Sequence, residues 1–219
     1  MTPSDPLPVR HDFVRLAADW PDGLLSALAG PEQTLVAGWV AAGRPLVVAR
    51  RPPDDAPGTL RLGLALPDKR RIGLHVRRDV VTGRRPPPLL TEVPVPPSWR
   101  PLVATLSAAA AGAGLPVRVY GSLAWQALTG LDYVRPDRSD IDLLFAPADA
   151  RALARLPALL RPLAGHLHPR LDGEIVLQGG LAVSWREWLG GGRVLVKAPD
   201  TLFLADVSTL TAQMPGRVA

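Results

Sequence analysis

A proline-rich stretch near the middle of the sequence limits most strongly what this chain can fold into. Six prolines fall between Pro86 and Pro97, within the segment RRPPPLLTEVPVPPSWRP of residues 84–101. Because proline interrupts helices and cannot donate a hydrogen bond to a neighbouring strand, this stretch is predicted to be a stiff connector or an edge segment. We therefore predict two domains, an N-terminal one over residues 1–90 and a C-terminal one over residues 91–219.

The composition is that of a globular protein without disulfides or membrane spans. The chain has 219 residues, of which 47% are hydrophobic and none is cysteine. This length can bury a sizeable core, and the lack of cysteine excludes a disulfide framework and a thiolate metal site. Charges, glycines or prolines interrupt every apolar stretch before about 18 residues, the length that a spanning helix needs. The N-terminus lacks the pattern of a secretory signal, so we expect a cytoplasmic protein.

Positive charge is concentrated in one segment. The formal net charge is +5, and 23 of the 25 basic residues are arginine. Residues 69–85 contain seven lysines and arginines against one acid, Asp79. Such a segment is typical of a solvated face, and it would also attract phosphates or an acidic protein partner. The chain lacks an aromatic-interleaved platform and a recognition-helix pattern, which argues against nucleic acid as the partner.

The apolar patterns predict a mixture of helices and strands in both domains. In the N-terminal domain we predict helices over 23–29 and 34–42 and strands over 45–50, 59–66 and 71–76. In the C-terminal domain we predict helices over 99–114, 122–130, 147–165 and 199–210, strands over 117–121, 139–145 and 194–197, and a hairpin over 173–185. The predicted fold class is α/β or α+β, with a mixed sheet and flanking helices in the C-terminal domain and a smaller α+β N-terminal domain.

Two aspartates in the predicted strand SDIDLLF are the first candidates for a functional site. Successive strand residues point to opposite faces, so Asp140 and Asp142 share one face while Ile141 enters the core. Two carboxylates about 7 Å apart along a strand repel each other unless a cation lies between them. Hard oxygen ligands of this kind suit Mg²⁺. Taken alone, the pair also fits a solvent-facing edge strand.

A Gly-Ser pair precedes the aspartates. After the predicted strand VRVY, Gly121 allows a tight turn and Ser122 is predicted at a helix N-cap. Free N–H groups at such a turn can bind phosphate, although an ordinary strand–turn–helix junction would have the same residues. A phosphate-binding turn followed by an acid pair on the neighbouring strand describes a site for nucleoside-triphosphate transfer.

The segment 118–145 resembles the signature of the nucleotidyltransferase superfamily: an apolar residue, Gly-Ser, a spacer, and Asp-apolar-Asp-apolar. Its spacer, residues 123–139, is longer than in most members. The branch that shares the long spacer is the malonate decarboxylase holo-acyl-carrier-protein synthases, or phosphoribosyl-dephospho-CoA transferases. The chain resembles them over nearly its full length, in GSLAWQALTGLDYVRPDRSDIDLL, in LDGEI followed by AVSWREW, in VLVK and in RHDFVRL.

The resemblance implies a transferase with a nucleotidyltransferase-like catalytic domain. Its donor would be triphosphoribosyl-dephospho-CoA, and its acceptor the acidic apo acyl carrier protein of malonate decarboxylase. A serine hydroxyl of the carrier would attack the α-phosphorus of the triphosphate, pyrophosphate would leave, and a phosphodiester-linked prosthetic group would result. The reaction would depend on Mg²⁺, with Mn²⁺ as a substitute.

The resemblance also assigns roles to single residues. Asp140 and Asp142 would bind the metal, and Gly121 and Ser122 would bind the β- and γ-phosphates. The superfamily places a third carboxylate on a later strand, and the candidates in LDGEIVL are Glu174 and Asp172. Glu174 is preferred because it begins the strand proper, whereas Asp172 precedes a glycine and fits a turn. Glu174 would bind a second metal ion or accept the serine proton.

Three further cations are candidates for binding the triphosphate. Lys197, at the end of VLVK, could neutralise phosphate as a point charge, and an exposed strand-end lysine is the alternative interpretation. Arg135 and Arg138 lie in the spacer close to the aspartates, where the leaving pyrophosphate would need cations. Either arginine could equally be a surface loop residue.

Two other functions stay open at this point. The first is a nucleotidyltransferase that acts on another acceptor: a small molecule, a protein or tRNA. The second is a non-catalytic nucleotide-binding module, against which the intact Gly121, Ser122, Asp140 and Asp142 argue. If the acceptor is an acidic carrier protein, the basic segment 69–85 would steer it in a salt-sensitive way.

Overall fold

The computed structural model describes residues 7–215, which divide into two compact units. The N-terminal unit comprises residues 7–87 and 128–133, and the C-terminal unit comprises residues 88–127 and 134–215. The division at residue 87 falls within the proline-rich stretch of the sequence.

The N-terminal unit contains a five-stranded sheet and one α-helix. Its elements are β1 (Phe13–Leu16), α1 (Gly30–Ala41), β2 (Leu46–Val48), β3 (Thr59–Ala65), β4 (Arg71–Arg77) and β5 (Val81–Arg85). The strand order is β4-β3-β2-β1-β5, and all neighbours are antiparallel. In β4 the apolar residues Ile72, Leu74 and Val76 are buried and alternate with more exposed residues, as expected for a strand with one face on the core.

The helix predicted over 23–29 is wrong. The chain forms a 3-10 turn over Trp20–Gly23 and then runs without helix to α1. Here the amide of Leu25 donates to the carbonyl of His75 at 2.7 Å, so the backbone bonds to β4 and not to itself. The predicted strands of this unit are confirmed as β2, β3 and β4, and helix α1 is confirmed with an earlier start; β1 and β5 lie outside the predicted elements.

The C-terminal unit is built around a six-stranded mixed sheet. Its strands are β6 (Val117–Tyr120), β7 (Ile141–Phe145), β8 (Leu171–Val176), β9 (Ala182–Ser184), β10 (Arg193–Lys197) and β11 (Leu202–Asp206). The sheet order is β11-β10-β9-β8-β7-β6. Strands β7 and β8 are parallel and the other neighbours are antiparallel.

Helices flank this sheet, and α4 provides the crossover that a parallel pair needs. They are α2 (Arg100–Gly112), α3 (Gly121–Thr129), α4 (Ala150–Leu160), α5 (Trp185–Gly190) and α6 (Val207–Ala212). Between residues 7 and 215 no helix is long and apolar enough to span a membrane. The predicted α+β class is confirmed by the two sheets and six helices of the described chain.

The end of the C-terminal unit differs from the prediction. The helix predicted over 199–210 is wrong, because residues 202–206 form β11, and α6 starts only at Val207. The amide of Ala198 donates to the carbonyl of Thr201 at 3.0 Å, which closes a turn and lets β11 pair with β10. The predicted hairpin is confirmed as β8 and β9, with Gly179 and Gly180 at positive φ in the turn.

The two faces of this sheet differ in chemistry. One face carries apolar side chains that are fully buried: Val119, Ile141, Leu143, Phe145, Ile175, Val183 and Val196. Alternation along the strands places the intervening residues on the opposite face, and these include aspartate, glutamate and lysine. The polar residues of the candidate site therefore lie on one side of a well-packed layer.

Candidate active site

The turn between β6 and α3 brings backbone directly against a carboxylate. Gly121 has a φ of +61°, and a Cβ added there would lie 1.9 Å from Oδ2 of Asp142. Glycine is thus required both by the backbone conformation and by the close approach. Helix α3 begins at Gly121, so Ser122 lies in its first turn and not at an N-cap. Gly121 and Asp142, predicted to share a site, are in contact.

Strand register sets the neighbours of Asp142. Its partner on β6 is Tyr120 and its partner on β8 is Asp172. Register partners on adjacent strands project to the same face, so the Asp142 and Asp172 side chains lie on one side of the sheet. Asp140 precedes β7 by one residue, and Ile141 between the two acids is fully buried.

Gly173 allows the close approach of β7 and β8 that produces this register. Its φ is +140°, and a Cβ there would lie 1.9 Å from the carbonyl oxygen of Leu143. The amide of Gly173 also donates to Oδ1 of Asp172 at 2.8 Å. The Asp-Gly pair of LDGEI therefore fixes one carboxylate oxygen of Asp172. The contact of Gly173 with β7 could not be predicted from the sequence, because the two strands are far apart along the chain.

Arg170 joins two of the acids. Its Nη2 donates to Oδ2 of Asp140 at 3.1 Å and to Oδ2 of Asp172 at 3.2 Å, and its Nε lies 3.3 Å from the same Asp140 oxygen. Sequence reasoning did not identify Arg170. The available signal was its position two residues before Asp172, which puts both side chains on one face of the strand.

Glu174 is in a different environment from the aspartates. It is 3% exposed, and its Oε1 accepts a hydrogen bond from Nζ of Lys197 at 2.7 Å. Its register partners are Leu144 on β7 and Ser184 on β9. Glu174 therefore lies on the same face as Asp172, two residues further along β8. Two residues predicted to have separate roles, Glu174 and Lys197, form one ion pair.

Arg135 and Arg138 lie in the turn that leads into Asp140. The Ser139 hydroxyl accepts a hydrogen bond from the Arg135 amide at 2.8 Å, and the Ser139 amide donates to the Arg135 carbonyl at the same distance. The Arg138 amide donates to that carbonyl at 3.1 Å. This turn fixes the backbone on the N-terminal side of Asp140.

Comparison with known proteins identifies the family. The model of the phosphoribosyl-dephospho-CoA transferase MdcG C-terminal domain matches residues 89–208, and that of the N-terminal domain matches residues 9–87. The chain belongs to the phosphoribosyl-dephospho-CoA transferase family. Within this family, the phosphoribosyl-dephospho-CoA transferase of Xanthomonas campestris pv. campestris (strain 8004) is 40% identical, over 87% of this chain and 91% of the relative.

A second relative in the family comes from Bradyrhizobium diazoefficiens and has the same name. It is 37% identical, over 91% of this chain and 90% of the relative. No solved structure matches the chain. Members of the phosphoribosyl-dephospho-CoA transferase family are transferases, and the chain is therefore an enzyme of that class.

The donor set of the site suits a hard divalent cation, because it consists of carboxylate oxygens. Within residues 7–215, no three or more His, Asp or Glu side chains come close enough together to hold a metal ion as they stand. The guanidinium of Arg170 lies between the carboxylates of Asp140 and Asp172. The carboxylates are therefore suitable ligands for a divalent metal ion, and the Arg170 guanidinium bridges two of them in this structure.

Arg186 supports the acid-bearing end of β8. Its Nη2 donates to the carbonyl of Leu171 at 2.7 Å and its Nη1 to that of Ala164 at 3.1 Å. The guanidinium also lies over the Trp185 ring, 4.6 Å from the centroid, in a cation–π contact. This arginine fixes the backbone next to Asp172, and sequence reasoning did not identify it either.

Proposed function

We propose that this transferase moves the phosphoribosyl-dephospho-CoA group of triphosphoribosyl-dephospho-CoA to a serine of the apo acyl carrier protein of malonate decarboxylase. The serine oxygen forms a bond to the α-phosphorus, the bond from that phosphorus to the pyrophosphate oxygen breaks, and the hydroxyl proton is released. Family membership supports the transferred group. The single observation that supports the location of the site is the contact between Gly121 and Asp142.

The proposed site is of the nucleotidyltransferase type, with Asp140, Asp142 and Asp172 as the residues that would hold Mg²⁺ or Mn²⁺. When bound, the ion would neutralise the triphosphate and lower the pKa of the attacking hydroxyl. We propose Asp172 in place of Glu174 as the third carboxylate. Asp172 is the register partner of Asp142, whereas Glu174 is buried and bonded to Lys197.

The phosphates would be bound by the start of α3 and by nearby cations. Gly121 and Ser122 begin the helix, where the first amides have no partner within the helix and the helix dipole favours an anion. The ion pair with Glu174 holds the Lys197 ammonium on the polar face of the sheet, and about a third of the Lys197 side chain is exposed. Arg135 and Arg138 are proposed to bind the leaving pyrophosphate.

The acceptor is proposed to approach through the basic segment 69–85. On β4, Arg71 and Arg77 are exposed and alternate with buried residues. Arg70 and Arg77 are paired with Asp68 and Asp79. The residues of this segment whose side chains make no ion pair within the described chain are Lys69, Arg71, Arg78 and Arg85. These charges would attract an acidic carrier protein over a range of about 10 Å at low salt.

The decisive experiment is an intact-mass spectrum of the apo carrier protein. The carrier is incubated with this enzyme, Mg²⁺ and triphosphoribosyl-dephospho-CoA. We expect a mass gain equal to the donor minus pyrophosphate. Replacement of Asp142 by Asn should slow the transfer by about 10³-fold or more, since an acid lost from such a site removes several kcal/mol of transition-state stabilisation.

The matched control is Asp54→Asn, which makes the same chemical change at an exposed residue of the N-terminal unit. It should transfer at the rate of the unmodified enzyme. Transfer by Asp142→Asn at the control rate would disprove the site. No mass gain with the unmodified, folded enzyme would disprove the proposed acceptor or donor.

A further inference from the structure

Arg170 neutralises the acids of the candidate site by contacts that span the fold. It is 30 residues from Asp140 in sequence, and it donates three hydrogen bonds of 3.1 to 3.3 Å, two to Asp140 and one to Asp172. A guanidinium is charged at every physiological pH, so this neutralisation does not depend on a titration. The position between the two carboxylates is the position that a bridging cation would take.

The backbone of Arg170 is fixed while its charged group is accessible. The amide of Ile141 donates to the carbonyl of Arg170 at 2.9 Å, which joins the residue to the start of β7. The side chain is 53% exposed, and those of Asp140 and Asp172 are 39% and 37% exposed. The guanidinium can therefore leave the acids without disrupting any of the buried core.

We propose that Arg170 is a resident counter-cation that keeps free divalent metal out of the acid site and gives way when metal arrives with a polyphosphate. This inference rests on the proposed function, because it concerns the same acids. A divalent ion and a guanidinium cannot both neutralise Asp140 and Asp172 at close range without repelling each other. Entry of the ion thus requires Arg170 to find another anion.

A polyphosphate supplies that anion. Arginine binds phosphate oxygens through paired N–H donors at least as well as it binds a carboxylate. When a substrate brings both the metal and the phosphates, the ion pairs of Arg170 with the acids are replaced by two sets: metal with the acids, and Arg170 with phosphate. Free metal, in contrast, leaves Arg170 in water without a new partner. Binding of metal and of polyphosphate is therefore coupled, and each should raise the affinity for the other by the same factor.

The test measures binding of Mn²⁺ alone to the full chain, by the electron paramagnetic resonance signal of the free ion. Arg170→Gln should bind Mn²⁺ at least about tenfold more tightly than the unmodified protein, within the usual range of coupling between two sites. Arg170→Lys keeps the charge and should stay within about threefold of the unmodified protein. The matched control is Arg151→Gln, which removes the same charge from an exposed position on α4 and should change nothing.

A second measurement guards against a folding defect in Arg170→Gln. Its melting temperature should be lower without metal, because the acids then repel each other, and Mn²⁺ should raise it more than it raises that of the unmodified protein. Two results would overturn the inference, and they differ in whether the metal site of the proposed function is also wrong. If the unmodified protein and Arg170→Gln bind Mn²⁺ equally and Asp142→Asn weakens both, the metal site stands and the role of Arg170 is wrong. If Arg170→Gln and the unmodified protein both fail to bind Mn²⁺, and added inorganic triphosphate promotes binding in neither, the metal site of the proposed function is wrong as well.

Discussion

The two units of this chain use charged side chains in different ways. In the N-terminal unit three ion pairs join near neighbours in sequence: Asp55 with Arg61 at 2.6 Å, Asp68 with Arg70 at 2.7 Å, and Arg77 with Asp79 at 3.0 Å. In the C-terminal unit two pairs join residues far apart in sequence, Arg170 with Asp140 and Lys197 with Glu174, and Arg170 also pairs with its neighbour Asp172. The N-terminal unit also has a long-range pair, in which the partly buried Arg84 on β5 donates to the buried Asp12 just before β1.

Ion pairs between near neighbours can form without the fold, whereas ion pairs between distant residues form only when the fold brings them together. A pair two residues apart can form in an unfolded chain, so it reports little about folding or function. Charges from three different strands meet on the polar face of the C-terminal sheet only when the register is correct, and holding them there costs free energy. We therefore expect substitutions in the C-terminal site to have large effects, and those at the neighbouring pairs of the N-terminal unit to have small ones.

After Asp142→Asn, the largest effect is expected for Gly121→Ala. The new methyl would overlap the Asp142 carboxylate, and the alanine would have to adopt a φ of +61°. Displacement of the acid by about 1 Å should lower the transfer rate by at least about 10²-fold. The rate is measured by intact mass of the carrier, and circular dichroism checks the fold. Gly112→Ala, at the end of α2 where a Cβ meets no atom within 4 Å, is the control and should keep full activity. If Gly121→Ala transfers at the rate of the control, Asp142 does not take part in the transfer reaction.

The next effect concerns stability and the pair of Lys197 and Glu174. Lys197→Met leaves the carboxylate of Glu174 buried without this partner. We expect the free energy of unfolding to fall by about 2 kcal/mol, less than for a fully buried pair because a third of the Lys197 side chain is exposed. Urea denaturation followed by circular dichroism measures the change. The double variant Glu174→Gln with Lys197→Met should recover most of the loss, and failure to do so would show that packing, not charge, explains the single variant.

The sequence predicts the turn and the acid-bearing strand of the candidate site, whereas our proposal of Asp172 as its third acid depends on strand register. The strand VRVY, the Gly-Ser turn and the strand with Asp142 were predicted because each depends on local signals, such as alternation and a glycine before a helix. The choice between Asp172 and Glu174 depends on the register of β7 and β8, which in turn depends on the close contact of Gly173 with Leu143. Register is a property of two strands far apart in sequence, so local reasoning could not determine it.

The misassigned elements have a similar explanation. Residues 202–206 contain apolar and helix-compatible residues, and their pairing with β10 decides the strand. The segment after Trp20–Gly23 is likewise fixed by its hydrogen bond to β4. Arg170 and Arg186 were not identified because arginine is abundant in this chain, with 23 copies, and only their contacts distinguish these two from surface arginines.

A smaller, pH-dependent effect is expected at Asp55 in the N-terminal unit. The hydrogen bond from Arg61 holds the pKa of Asp55 below its usual value. The pair therefore stabilises the fold above the ordinary aspartate pKa of about 3.9, and this stability is lost as the pH falls through the lower pKa of the folded state. Asp55→Asn should melt at a lower temperature than the unmodified protein at pH 6, and the difference should shrink steadily as the pH is lowered below about 4. A difference that is independent of pH would mean that the carboxylate charge is not the cause.

The smallest effect is expected on the exposed face of β4, and it tests whether the N-terminal unit takes part in binding the acceptor. Arg71→Gln removes an exposed charge, and Arg77→Gln removes one that Asp79 already compensates at 3.0 Å. Neither should move the melting temperature by more than about 2 °C, because exposed charges contribute little to stability. If an acidic carrier docks here, Arg71→Gln should raise KM for the carrier by about threefold at low salt and less at high salt, with a weaker effect for Arg77→Gln. If both variants have the same KM for the carrier as the unmodified enzyme at every salt concentration, the acceptor binds elsewhere. The charges that matter for function are then confined to the C-terminal unit.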